Sequence, residues 1–148
     1  MTGTANGAFH VRTCAWADAS VALRRVRHDV FVVEQRVPEG LEFDASDAMS
    51  VHALATDESG APIGCARLLA DGHIGRVAVM KAWRGHGVGA SLMACLIERA
   101  RVRGDRSVIV NAQVGAMRFY EGLGFIATGD TFDEAGIPHR VMTRALSR

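Results

Sequence analysis

This chain of 148 residues is short of paired cysteines, of long apolar runs and of any charge excess. Its three cysteines, Cys14, Cys65 and Cys95, are odd in number and far apart, and none belongs to a C-x-x-C pair. They give no basis for a disulfide frame or a zinc site, and a reducing cytosol is the expected setting. No run of apolar residues is long enough to span a bilayer, and Met1 to Ala8 carries no basic-then-apolar targeting pattern. The protein is therefore expected to be soluble and cytoplasmic, with no membrane partner. A net charge of +1 gives no reason to expect nucleic acid or an anionic surface. His52 and His139 have no companions at metal-ligand spacing, so no metal is expected. Internal repeats, low-complexity segments and Pro/Ser-rich linkers are missing too, which favours a single domain over 1–148.

What is present is ordinary globular composition, 49% apolar and 22% charged, with one unusual stretch. Arg84-Gly85-His86-Gly87-Val88-Gly89-Ala90 follows an apolar run, 74–80, and opens an amphipathic one, 88–102. Strand, glycine-rich turn and helix together make a phosphate site. Glycines let backbone N–H groups approach an anion, and the helix N-terminus adds unpaired donors and the positive end of its dipole. Arg84 stands at the mouth with a forked, permanently charged group.

Around this loop, Phe9 to Thr13 reads as a first strand. Asp18 is the expected N-cap of a helix whose apolar face carries Val21, Ala22, Val26, Val30 and Val33, stopped by Pro38-Glu39-Gly40. An acidic, irregular segment, 41–49, precedes a hairpin of 51–56 and 63–69 about a turn-rich 57–62. Asp71-Gly72 turns the chain into 74–80. Val88, Leu92, Leu96 and Ala100 form one helical stripe with Met93 and Ile97 beside it, and Gly104-Asp105 ends that helix. A short strand at 107–111, a helix at 115–123 and two final strands around a turn at Gly136-Ile137-Pro138 complete the chain. The order β-α-β-β-β-α-β-α-β-β predicts an α/β (α+β) fold, a mixed sheet with helices packed on it.

Several phosphate ligands compete for the loop. Gly85-x-Gly87-x-x-Ala90 formally fits a dinucleotide fingerprint, with Asp105 as a conceivable ribose partner. Yet the glycines follow an antiparallel meander at mid-chain, and Asp105 precedes its strand where a ribose-binding acid normally ends one. A nicotinamide-dependent oxidoreductase is thus a remote alternative. No Gly-Lys-Ser/Thr follows the glycines, which excludes a Walker loop. A ligand-free turn is disfavoured because three glycines at alternate positions weaken a helix start unless the backbone must approach something.

Arg84-x-x-Gly87-x-Gly89 after Val77-Ala78-Val79 resembles the acetyl-CoA motif of the GNAT N-acetyltransferase superfamily. Asn111-Ala112-Gln113, Ala116 and the block Phe119-Tyr120-Glu121-Gly122-Leu123-Gly124-Phe125 are similar to its second signature. The Glu34-Gln35…Pro38…Glu42…Asp44 stretch and Gly136-Ile137-Pro138-His139 resemble one subgroup whose acceptors are generally unclear. The resemblance implies a mixed, mostly antiparallel sheet of six to seven strands flanked by helices, and transfer of acetyl from acetyl-CoA to a primary amine by direct attack in a ternary complex. It implies that the backbone of Arg84, Gly85, His86, Gly87, Val88, Gly89 and Ala90 holds the pyrophosphate. The edge of Val77, Ala78 and Val79 would pair with pantetheine, with the Val79 N–H polarising the thioester, and Asn111 and Phe119 would complete the donor site.

By the same resemblance Tyr120 donates to the departing thiolate, either by proton transfer or by a hydrogen bond. The general base stays open among Glu34, Glu42, Asp44, His52 and His139. The acidic set Glu39, Glu42, Asp44 and Asp47 would attract a cationic acceptor, or simply form a solvated loop. The cysteines read as packing positions, which leaves little room for an acetyl-cysteine route. A catalytically weak acyl-CoA sensor is the alternative from another class. A homodimer is a family-based expectation only.

Overall fold

The computed structural model describes residues 8–147. Seven strands among them form one sheet: β1 (Phe9–Cys14), β2 (Val51–Asp57), β3 (Pro62–Leu68), β4 (His73–Val79), β5 (Ser107–Gln113), β6 (Ile126–Glu134) and β7 (Ile137–Ala145), in spatial order β1-β2-β3-β4-β5-β7-β6. Every neighbouring pair is antiparallel except β4 and β5. Helix α1 (Trp16–Arg27) covers one face and α3 (Val88–Arg103) the other, while the short α2 (Glu39–Glu42) and α4 (Met117–Gly122) flank the central strands.

The stripe on α3 is as its spacing predicts: Val88, Leu92, Met93, Leu96, Ile97 and Ala100 are all buried. They lie on small residues of β2 and β3, among them Ala53, Ala55 and Ala66. Gly64 sets how closely the helix sits. A Cβ there would stand 3.0 Å from Val88 Cγ1 and 3.1 Å from Leu92 Cδ1, with the Ala78 carbonyl oxygen at 3.2 Å. Gly64→Val is therefore expected to lower stability by about 1–3 kcal/mol through overpacking, read as a lower urea midpoint at unchanged slope.

Helix α1 differs from its expected form. Ala15, with no side-chain bond, is the N-cap, and Asp18 sits in the first turn, where a carboxylate complements the helix dipole. The buried face is Ala19, Leu23, Val26 and Val30, whereas Val21 and Val33 are 85% and 62% exposed. Val21 is two residues from both Ala19 and Leu23 and so lies on the opposite side of α1; Val33 is displaced by a change of helical period. From His28 to Glu34 the helix widens to π form, with Gln35 N–H donating to Val30 O at 3.0 Å and Val37 N–H to Phe31 O at 2.8 Å. A wider turn rotates later residues off a 3.6-residue stripe. The chain then leaves the helix through Arg36 (φ 62°), and Pro38 opens α2 rather than ending α1. The last hairpin turns one residue earlier than expected. Ala135 and Gly136, both at positive φ, make the turn, and Ile137 and Pro138 already belong to β7.

Candidate active site

Strands β4 and β5 are paired only at His73↔Ile109 and Ile74↔Val110, and beyond these they part. The cause lies in β4. Cys65 faces Ala78 but Arg67 faces Gly75, so β4 holds one extra residue, a bulge at Arg76 with φ 52°. A bulge bends its strand and increases the twist. The Cys65 thiol donates to the Arg76 carbonyl at 3.5 Å. Past the bulge, Met80 N–H donates to Ile63 O at 2.8 Å. Antiparallel alternation then turns the Val79 N–H and C=O away from β3 and into the gap.

The gap opens into a cleft of about 1070 Å³, whose walls include Val77, Ala78, Val79, Arg84, Gly85, Gly87, Val88, Gly89, Ala90, Asn111, Phe119, Tyr120 and His139. At its donor end, Gly85 (φ 82°) and Gly87 (φ 83°) occupy the left-handed region, and Gly87 caps α3. Ser91 N–H is the first to join the helix ladder, onto Gly87 O at 3.1 Å. Ahead of it, the N–H groups of residues 85–90 have no protein acceptor among the described residues. Arg84 N–H, by contrast, is spent on Lys81 O at 3.3 Å. Gly89 has a different reason to be glycine: a Cβ would lie 3.3 Å from the Phe119 ring. The His86 side chain is exposed, with Nδ1 donating to Arg84 O at 3.1 Å.

The Arg84 side chain does not reach over the loop as a free cation. Its Nη1 and Nη2 donate to Glu34 at 2.5 and 2.6 Å, and its Nε donates to Val79 O at 3.0 Å. The next residue along, Gln35, accepts from Gln113 Nε2 at 3.0 Å. Glu34 and Gln35 thus strap the end of the π-helical segment to both arms of the gap, one contact on the β4 side and one at the end of β5. The Arg84 hydrogen bond holds the Glu34 carboxyl below the usual range. The Arg84 bonds hold the Glu34 carboxylate against the wall of the gap and oppose its protonation.

Two members of the acidic set, Asp44 and Asp47, are committed to arginines. Asp47, wholly buried, takes Arg27 on both oxygens (2.9 and 2.8 Å) and Arg67 at 2.9 Å. Asp44 takes Arg67 at 2.7 and 2.9 Å and Arg76 at 3.3 Å. The two aspartates also close a capping box over the turn Ala45–Met49. Burial opposes ionisation of Asp47, yet the hydrogen bonds and charge of Arg27 and Arg67 prevail and lower its pKa to about 2. Asp44 is likewise lowered, chiefly by its Arg67 bond. Glu39 is exposed on α2, and the Glu42 side chain lies outside the described residues. His52 lies away from the cleft. It is 1% exposed, donates from Nε2 to Asp47 O at 2.8 Å, and packs at a tilt against Trp16, and burial lowers its pKa.

Tyr120 is 8% exposed, edge-on to Phe119 and Phe125, and burial alone raises its pKa to about 12. Asn111 is the first residue of β5 beyond the last β4 partner, and its Nδ2 donates to Glu134 Oε1 at 3.4 Å. His139 is buried beside them. Glu134 was invisible in the sequence, since only the turn register of the last hairpin brings it to the cleft. Among the described residues no group of three His, Cys, Asp or Glu could hold a metal, and no helix is long and apolar enough to cross a membrane.

A bulged strand splayed from its parallel neighbour, with a glycine loop and helix start at the mouth, forms a cleft with open N–H donors. Comparison with known proteins gives the family. The profile of the acetyltransferase (GNAT) domain matches residues 18–146, and the chain belongs to that family, whose members use acyl-CoA. It is 37% identical over 123 residues to the uncharacterized N-acetyltransferase YjcF of Bacillus subtilis, covering 80% of this chain and 87% of that one. Among solved structures, an acyl-CoA N-acyltransferase from Pseudomonas aeruginosa is 33% identical with a TM-score of 0.82, covering 93% of this chain and all (100%) of that one. Escherichia coli ElaA is 31% identical with a TM-score of 0.80, covering 92% and 99% respectively.

Proposed function

We propose that this protein transfers the acetyl group of acetyl-CoA to a primary amine by direct attack in a ternary complex. The observation that carries the reading is the Val79 N–H turned into the β4–β5 gap beside the open N–H groups of residues 85–90. The loop donors and the helix dipole suit a pyrophosphate. The exposed edge of Val77–Val79 suits the pantetheine amides as an added strand. A fixed N–H aimed at the thioester oxygen stabilises the charge that develops there, an effect on the order of 3 kcal/mol. The acceptor must shed a proton first, because an ordinary alkylamine at neutral pH is about one part in a few thousand neutral. Tyr120 stands ready for the departing sulfur.

The test is a thermal-shift series with acetyl-CoA, CoA and NADPH, followed by thiol release across a panel of amines. A ligand bound only by the native state raises stability by mass action, by about 2.7 kcal/mol at a hundredfold excess over its Kd. Stabilisation by acetyl-CoA and CoA, none by NADPH, and amine-dependent thiol release are the expected results. No stabilisation at millimolar acetyl-CoA would remove the proposal. Stabilisation without thiol release on any amine would favour a sensor.

A further inference from the structure

We infer that Glu134 and His139 form the site that receives the acceptor's ammonium group and takes its proton; this rests on the acetyl-transfer reading above. Both residues line the cleft with Asn111, His139 on β7 beside Asn111 on β5 and Glu134 at the end of β6, across the gap from the Val77–Val79 edge. His139 is fixed in place and in protonation pattern. Its ring stacks on Phe132 at 5.9 Å, and Nδ1 lies 2.6 Å from the Ile137 carbonyl oxygen. A carbonyl only accepts, so Nδ1 carries the hydrogen and Nε2 presents a lone pair in the neutral ring.

That lone pair faces another acceptor. Glu134 Oε2 is 3.7 Å from Nε2, too far for a hydrogen bond between them. Two acceptors at this spacing leave room for one donor-rich cation that bonds both, and an ammonium has three N–H donors. The charge pattern agrees. Glu34 is locked by Arg84, Asp44 by Arg67 and Arg76, and Asp47 by Arg27 and Arg67. Glu134 instead meets the neutral Asn111 amide, and no Lys or Arg pairs with it among the described residues. It is the carboxylate of this cleft whose countercharge is left for a ligand to supply.

The steps balance as follows. The bound ammonium gives one proton to His139 Nε2, and the imidazolium is stabilised by the Glu134 carboxylate until it passes that proton to water. The freed nitrogen lone pair forms the C–N bond at the thioester carbon. The C–S bond then breaks with its electrons on sulfur, beside the Tyr120 hydroxyl. A second proton leaves the nitrogen and ends on sulfur as CoA thiol.

The experiment uses the full chain with saturating acetyl-CoA and n-butylamine, putrescine, glucosamine and lysine amide as acceptors. Glu134→Gln is expected to raise the amine KM by about tenfold or more, the loss of one charge-assisted bond, and to lower kcat as well, because the His139 imidazolium loses its countercharge. His139→Gln is expected to lower kcat by about tenfold or more, within the usual worth of a general base. Neither alters stabilisation by acetyl-CoA. Ring-15N NMR of the CoA-saturated protein gives a readout without turnover. The amines shift the His139 Nε2 resonance, and Glu134→Gln needs about ten times more amine for the same shift. An unchanged amine KM in Glu134→Gln, or an Nε2 resonance indifferent to all four amines, overturns the inference while the donor reading stands. Failure of acetyl-CoA to stabilise the wild type overturns the donor reading itself.

Discussion

Asp47→Ala is expected to cost about 3–5 kcal/mol of stability, the range for breaking a buried ion pair by removing one partner. The penalty comes from what remains: Arg27 is 1% exposed and would keep its charge with both of its Asp47 bonds gone, and Arg67 would lose one. For a domain of this size the melting temperature should fall by on the order of 10 °C. Asp44→Ala serves as the control. Its carboxylate is 42% exposed, so water can solvate what is left and the loss should be markedly smaller. A loss below about 1 kcal/mol for Asp47→Ala would show that water reaches Arg27 and that the network is not buried in solution.

The same pair predicts the acid response. Asp47 ionises near pH 2 when folded, below its ordinary value of 3.8. A carboxyl lowered on folding adds stability that is complete above the unfolded pKa and is lost as pH falls through the folded one. Wild-type stability should therefore drop between about pH 4 and pH 2, and Asp47→Ala should show a shallower drop there in urea titrations.

Tyr120→Phe is expected to lower kcat by about 10- to 100-fold, the equivalent of 1.5–3 kcal/mol for a hydrogen bond to a charged group. The ring contacts with Phe119 and Phe125 survive the change, so stabilisation by acetyl-CoA should stay within about twofold in Kd, under 0.5 kcal/mol. The two routes left open by the sequence separate here. With Tyr120 pushed up to about 12 and a thiol near 8.5, outright transfer to the thiolate is uphill by about 5 kcal/mol. On the proposed reading, Tyr120 keeps its O–H and donates a hydrogen bond that strengthens as charge builds on sulfur. It follows that Tyr120 deprotonation contributes no alkaline limb to the rate below about pH 11. Equal losses in turnover and in acetyl-CoA binding would assign Tyr120 to packing instead.

The readable parts of this protein are those encoded over short stretches. The α3 stripe, the glycines ahead of it, the Asp71-Gly72 turn and the strand order all depend on neighbours within a turn or a hairpin, where residue type limits φ and ψ directly. The same holds for Gly85 and Gly87, where glycine permits the positive φ that the turn adopts. Gly89 was read as part of the phosphate turn, but the ring of Phe119, thirty positions on, also explains why it is glycine.

The remainder rests on register and on distant partners. Composition does not show that Arg84 meets Glu34 across 50 positions, nor that Arg27 and Arg67 each reach Asp47 across 20. Glu34, Asp44 and Asp47, which looked available for substrate, are thereby committed to arginines. The sequence by itself determined the open N–H cluster proposed to hold the donor, because a glycine loop and a helix start carry their N–H donors wherever the chain places them. Only the tertiary structure brought together the residues proposed to hold the acceptor. One extra residue at Arg76 opens the gap, and a hairpin that turns at Ala135-Gly136 brings Glu134 beside His139. Such juxtapositions follow from strand register, in which a shift of one residue reverses the side every later side chain faces.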